Sequence, residues 1–183
     1  MRNDSFLVNE DHLLPSDYKP QKLVQAPFTK ETILMEEILA KQLELLVHSI
    51  GGQSKIVVIS GYRDYFEQKK LYQNSIVENG LDFTQKFVAK PGASEHQTGL
   101  AVDLGLSNVK NDVIAPTFEG QLIVGKFLKE MANFGFILRY PKEKIDKTKI
   151  AYEPWHFRYV GTPHSQIIQE QQWVLEEYHE LEL

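Results

Sequence analysis

Cysteine is absent from this chain of 183 residues, which excludes disulfides and any thiolate metal or redox site. No apolar run comes near the 18 residues a membrane span needs, and no membrane partner is expected. Phe6-Leu7-Val8 is followed at once by charge and is too short for the core of an export signal, so cytoplasm is the simplest address. Positive charge is not in excess either. Lys and Arg number 20 against 25 Asp and Glu, a net charge of −5 without a basic cluster, so nucleic acid binding has no electrostatic footprint. Internal repeats and low-complexity stretches are missing too.

What is present suits one soluble domain spanning 1–183. Apolar residues make up 42% and charged residues 25%, and the length is enough to bury a sizeable core. Residues 1–28, punctuated by Pro15, Pro20 and Pro27, are expected to wrap the surface with one short strand near Phe6 to Val8. From Thr29 the pattern turns helical: Met35, Leu39, Leu43, Leu46 and Ile50 form one stripe, stopped by Gly51-Gly52. Lys55 to Ser60 is β-branched and reads as a buried strand. Asp64 with Glu67 makes a capping box for a helix of about four turns, ending at Gly80. Leu81 to Pro91 reads as a strand or as a loop lying over a site, and Ser107 to Phe118 as a polar loop. A helix is predicted over Gln121 to Asn133, strands over Phe136–Tyr140 and Trp155–Val160, and a lysine-rich solvated loop over Lys142–Lys149. One or two short helices close the chain over Pro163–Tyr178. Strands and helices mix without regular βαβ alternation, which favours an α+β domain with a small, mainly antiparallel sheet flanked by helices.

The stretch richest in chemistry is Ser94-Glu95-His96-Gln97-Thr98-Gly99-Leu100-Ala101-Val102-Asp103. Its tail alternates as a strand does, with Leu100, Val102 and Leu104 on one face and Ala101 and Asp103 on the other. A carboxylate sharing a face with only a small alanine reads as the wall of a site. A second stretch, Glu153-Pro154-Trp155-His156-Phe157-Arg158, adds an imidazole with a glutamate three positions before it. Pro154 biases Glu153 to an extended backbone, so this is not a helical metalloprotease motif. On a strand, His156, Arg158 and Val160 share one face.

His96, Asp103 and His156 together supply two nitrogens and an oxygen, and three protein ligands with a fourth position for water is the usual catalytic zinc site. Two histidines and a carboxylate suit zinc among divalent ions. Zinc lowers the pKa of its water towards ~7. Glu153 is the candidate general base that takes the water's proton and hands it to the leaving amine. Arg63, at the turn after the first core strand, is the candidate cation for the developing oxyanion. His12, His48, His164 and His179 are read as surface or packing residues.

With these residues assembled, the sequence resembles the zinc D-alanyl-D-alanine peptidases. Ser94, His96, Gly99, Ala101 and Asp103 meet the pattern Ser-x-His-x-x-Gly-x-Ala-x-Asp in full, and Glu153-x-Trp155-His156 follows. The group holds the VanY carboxypeptidases and VanX dipeptidases of glycopeptide resistance and shares a fold with the Hedgehog signalling domain. Ser60-Gly61-Tyr62-Arg63, Gln68, Gly135 to Pro141 and His156 to Gly161 also match in order, and the likeness is greatest to the VanXY type. The resemblance implies zinc on His96, Asp103 and His156, catalysis by Glu153, and Arg63 on the scissile carbonyl. It also implies Ser94 and Gln68 near the substrate's terminal residue; from the residues alone, each also reads as an ordinary turn or exposed helix position. The implied substrate is D-Ala-D-Ala or the pentapeptide precursor of peptidoglycan, and the implied output is vancomycin resistance. Ser60 departs from some two-activity relatives, which carry an acid just before Gly-Tyr-Arg, a difference that bears on how activity divides between dipeptide and pentapeptide. An L,D-carboxypeptidase or endolysin of the same fold is the alternative enzyme, and a zinc-stabilised interaction domain without catalysis is the alternative of another class.

Overall fold

Met35 marks the first departure from those expectations. In the computed structural model, which describes residues 4–181, the helix predicted from Thr29 begins later. Leu23–Gln25 (β1) and Leu34–Glu36 (β2) pair antiparallel with Val24 opposite Met35, and helix α1 runs from Glu37 to Ser49. Tertiary hydrogen bonds recruit the backbone before α1: Tyr62 N–H donates to Leu34 O at 2.6 Å and Glu36 N–H to Gly99 O at 2.9 Å. Met35 is buried all the same, from a strand, and Leu39, Leu43, Leu46 and Val47 are buried from α1.

Strand β3, Ile56–Ser60, leads to helix α2, Tyr65–Asn79. Asp64 caps α2 through Glu67 N–H at 2.8 Å, and the Glu67 carboxylate accepts from Asp64 N–H at 2.9 Å. The segment expected to be a strand or loop is instead a short helix, α3, Leu81–Phe87. Gly80, at φ +85°, turns the chain between the two helices, and Ser75 Oγ meets Thr84 Oγ1 at 2.8 Å where they pack. Two turns burying little besides Thr84 leave no readable apolar stripe, which is why periodicity misses α3.

Strand β4 is Ala101–Leu106, helix α4 Leu122–Glu130 with a 3₁₀ turn over Met131–Phe134, and strand β5 Phe136–Leu138. The expected lysine-rich loop contains a 3₁₀ turn and a one-turn helix, α5, Ile145–Thr148. Strand β6, His156–Tyr159, precedes two terminal helices, α6 at His164–Gln171 and α7 at Leu175–Leu181. The main sheet is antiparallel throughout, in the order β3-β4-β6-β5. This is the expected α+β class with a small antiparallel sheet flanked by helices.

The sheet separates two buried clusters. Val58, Val102, Leu104, Phe157 and Tyr159 face α1 and α4 in the larger one, where Phe157 lies 4.8 Å from Phe127 and 5.6 Å from Phe118, ring centre to ring centre. Ile137, Val160, Ile168, Leu175 and Tyr178 form the smaller one under α6 and α7. Burying each large apolar side chain contributes roughly 1.5–3 kcal/mol, so the larger cluster supplies the rigid floor for the opposite face.

Phe6 to Val8 is not a strand; the isolated bridge in this part of the chain joins Asn9 and His12. The carbonyls of Asp4 and Phe6 instead accept from Arg158 Nη2 at 3.1 and 3.0 Å, so a guanidinium takes the acceptors a strand partner would have used. Residues 1–3 of the expected wrapping segment lie outside the described residues.

Candidate metal and catalytic centre

Strand register brings the two informative stretches together. Asp103 on β4 sits directly opposite His156 on β6, and Ala101 opposite Arg158, so an acid, an imidazole and a guanidinium share one sheet face with only a methyl group between them. His96 reaches the same face from a 3₁₀ turn, Glu95–Thr98, which Gly99 ends at φ +70° before β4 begins. The register of β3 against β4 shifts between Val58 and Ser60, placing Gly61 beside that turn. Gly61 tolerates no side chain, since an added Cβ would lie 2.4 Å from Leu34 O. Its carbonyl contacts His96 Nδ1 at 2.6 Å, and Arg63 N–H donates to His96 O at 3.2 Å.

His96, Asp103 and His156 each point one ligand atom at a common centre, all within 4.8 Å of one another and all buried. His96 Nε2 is 3.1 Å from Asp103 Oδ2, and His156 Nδ1 is 3.0 Å from Asp103 Oδ1. With its Nδ1–H donated to Gly61 O, His96 offers a lone pair at Nε2. The donor set therefore fits a zinc-sized cation bound by two imidazoles and one carboxylate.

Glu153 lies beside that set, Oε2 3.7 Å from His156 Nδ1, in a turn closed by His156 N–H on Glu153 O at 3.3 Å. Arg63, Ser94, Gln68 and Trp155 line the same cleft. Arg63 Nε is buried without a hydrogen-bond partner among the described residues. Gln68 is not an exposed helical glutamine: it is 1% exposed and donates from Nε2 to Ala89 O at 2.6 Å. That bond fixes the amide orientation and leaves Oε1 buried and free to accept. Val88 and Ala89 follow α3, and Val113 and Ile114 come from the 107–118 loop, so the segment expected to lie over the site and the polar loop both contribute walls.

Charge is concentrated here. Burial pushes the Glu153 carboxyl up to about 8, with His156 pulling it back and Asp103 adding to the rise. Burial opposes a charged Asp103, but His96 and the hydrogen bonds of both imidazoles hold it well below the usual carboxylate range. For His156 burial disfavours the cation, yet hydrogen bonds to Asp103 and Glu95 override it and raise the imidazole to about 10. His96 moves the other way, lowered chiefly by burial, with Asp103 resisting. Glu95 is 1% exposed; burial again opposes its charge, and Arg139 and Arg158 hold it well below the ordinary range.

Residues 32–162 match the model of the VanY family, described as D-alanyl-D-alanine carboxypeptidase. The chain belongs to this family. Among VanY-like relatives, it is 48% identical over 175 residues to the bifunctional D-Ala-D-Ala dipeptidase and D-Ala-D-Ala carboxypeptidase VanXYC of Enterococcus gallinarum, covering 95% of this chain and 92% of that one. The vancomycin resistance D,D-dipeptidase VanXYg, solved with a D-Ala-D-Ala phosphinate analogue, superposes with a TM-score of 0.93 at 44% identity, covering 97% of this chain and 70% of that one. A VanY D,D-pentapeptidase variant from a VanB-type resistance cassette, solved with Zn(II), superposes at 0.76 with 28% identity, covering 96% and 98%.

Three residues at this candidate site carry no role in the sequence pattern: Glu95, Arg139 and Tyr140. Glu95 occupied an unassigned position inside the very motif that flagged its neighbours. Arg158 was placed on the face of His156 by strand parity, and a buried arginine demands a carboxylate, so parity held the signal that would have found Glu95. Tyr140, its ring centre 4.9 Å from that of His156, gave no such signal.

Proposed function

We propose that the chain is a zinc D,D-peptidase that hydrolyses D-Ala-D-Ala, both as free dipeptide and as the terminus of peptidoglycan pentapeptide precursors. The observation that carries this reading is the convergence of His96, Asp103 and His156 on one cleft with Glu153 and Arg63. The likeness to a bifunctional dipeptidase and carboxypeptidase supports the substrate. His96, Asp103 and His156 would hold the zinc, which supplies Lewis acidity and brings the pKa of a coordinated water towards ~7.

Glu153 handles the proton. As water adds to the scissile carbonyl carbon, the carboxylate accepts the water's proton; as the C–N bond breaks, it delivers that proton to the departing amine. Burial raises the Glu153 carboxyl, which favours its holding a proton between the two steps. Arg63 faces the cleft with donors available for the negative charge that builds on the carbonyl oxygen. Gln68 presents an acceptor, which suits a substrate N–H, and Ser94 presents a hydroxyl for the terminal carboxylate. Neither Glu153 nor Arg63 is needed to hold a cation, so their presence in the cleft favours catalysis over a metal-stabilised interaction domain.

Cytoplasmic action and glycopeptide resistance belong to the same proposal and rest on the likeness to the VanXY relatives. No helix among the described residues is long and apolar enough to cross a membrane. Incubating the zinc-loaded protein with D-Ala-D-Ala, pentapeptide and an L,D-linked tetrapeptide tests the substrate class. Free D-alanine is expected from the first two. Release from the L,D-linked peptide alone would replace this reading with that of an L,D-carboxypeptidase.

A further inference from the structure

His156 has two ring nitrogens, and the structure gives them different neighbours. Nδ1 faces the proposed ligand set, 3.0 Å from Asp103 Oδ1. Nε2 points away from it, 3.4 Å from Glu95 Oε2. Glu95 has its other oxygen engaged: Oε1 accepts from Arg139 Nε at 2.7 Å and from Arg158 Nη1 at 2.9 Å. Both guanidiniums are fully buried. They are themselves held, Arg139 by a two-pronged pair to Glu176 of α7 at 2.8 and 2.6 Å, and Arg158 by the carbonyls of Asp4 and Phe6. A carboxylate clamped this way cannot rotate, and Oε2 is left for the imidazole.

We propose that Glu95 is a positioning residue for the metal centre: it holds His156 in the tautomer protonated at Nε2, which leaves the Nδ1 lone pair for the cation. The inference rests on the zinc reading above. Gly61 O does the mirror-image task for His96, taking the proton at Nδ1 so that Nε2 turns inward. The two imidazoles therefore bind through different nitrogens, each selected by the acceptor behind it.

A carboxamide exposes the logic. In Glu95→Gln the two arginines retain the carbonyl oxygen, so the NH₂ group faces His156 Nε2. Donor then meets donor unless the imidazole proton moves to Nδ1, and an Nδ1–H cannot ligate. Zinc affinity, measured by competition with a chromophoric chelator, is expected to fall about 10–100-fold in Glu95→Gln. Glu176→Gln weakens the same buried network without touching His156; it should lower Tm but leave zinc affinity unchanged. Nitrogen-15 NMR of the zinc-loaded unmodified protein should show His156 protonated at Nε2 and metal-bound at Nδ1, a readout that needs no variant to fold. Zinc on Nε2, or equal affinity in Glu95→Gln and the parent, overturns the proposal while leaving the zinc reading intact. A parent protein that takes up no zinc overturns both.

Discussion

Replacing Glu153 by glutamine should separate chemistry from stability in opposite directions. The residue is 5% exposed, and burial raises its carboxyl to about 8 from an unfolded value of ~4.3. Between those two values the native state holds a proton that the unfolded chain has released, so stability falls as pH rises, by up to roughly 1.4 kcal/mol per pH unit. Glutamine carries no such penalty. In excess chelator, Glu153→Gln should gain on the parent between pH 5 and 8 and stop gaining above it. For a chain of this size the gain corresponds to roughly 3–6 °C in Tm per pH unit. Turnover should move the other way: loss of a general base costs about 10²–10⁴ in kcat, or roughly 2.7–5.5 kcal/mol. Zinc content should stay at the parental level, since Glu153 is outside the proposed ligand set. The assays are thermal melts across pH, metal analysis and D-alanine release. A glutamine variant that retains turnover, or that melts in parallel with the parent at every pH, would refute the reasoning.

Three further outcomes follow from the same geometry. Hydrogen bonds to Asp103 and Glu95 favour a protonated His156, and a ligand must give up a proton at the binding nitrogen, so zinc uptake should release protons and weaken as pH falls. Titration calorimetry in buffers of different ionisation enthalpy reads that release, and zero release would contradict the His156 assignment. Gly61→Ala forces a Cβ to within 2.4 Å of Leu34 O and displaces the carbonyl that orients His96. It should cost more than about 2 kcal/mol in denaturant melts and weaken zinc binding; unchanged stability would show that the backbone yields easily. Arg63→Ala should keep its zinc and lose about 10²–10³ in kcat for D-Ala-D-Ala, whereas a change confined to KM would assign Arg63 to substrate binding alone.

How much of this was legible beforehand varied with the length over which a pattern repeats. Strand parity over Leu100–Leu104 and His156–Val160 puts Asp103 and His156 on definite faces of their strands, while the pairing of the two strands is legible only in the structure. The Asp64–Glu67 box was legible because both halves of the cap lie within one turn. The β1–β2 pair and α3 were not, because three-residue strands and a two-turn helix carry too little periodicity and owe their form to distant partners. Met35 is the instructive case: its spacing to Leu39 imitates a helical stripe, yet Gly99 and Tyr62 claim the backbone around it for the site. Glu95 stayed hidden for a related reason. Its partners lie 44 and 63 residues away, and its buried state is intelligible only once both arginines are in view.

The account stands on one cation shared by His96, Asp103 and His156. X-ray absorption at the zinc edge of the loaded protein, paired with metal analysis, addresses that claim most directly. One zinc per chain bound by two imidazoles and a carboxylate, and lost in His156→Ala, is the predicted result. A zinc that survives His156→Ala, or one whose ligands include a third imidazole, would contradict it.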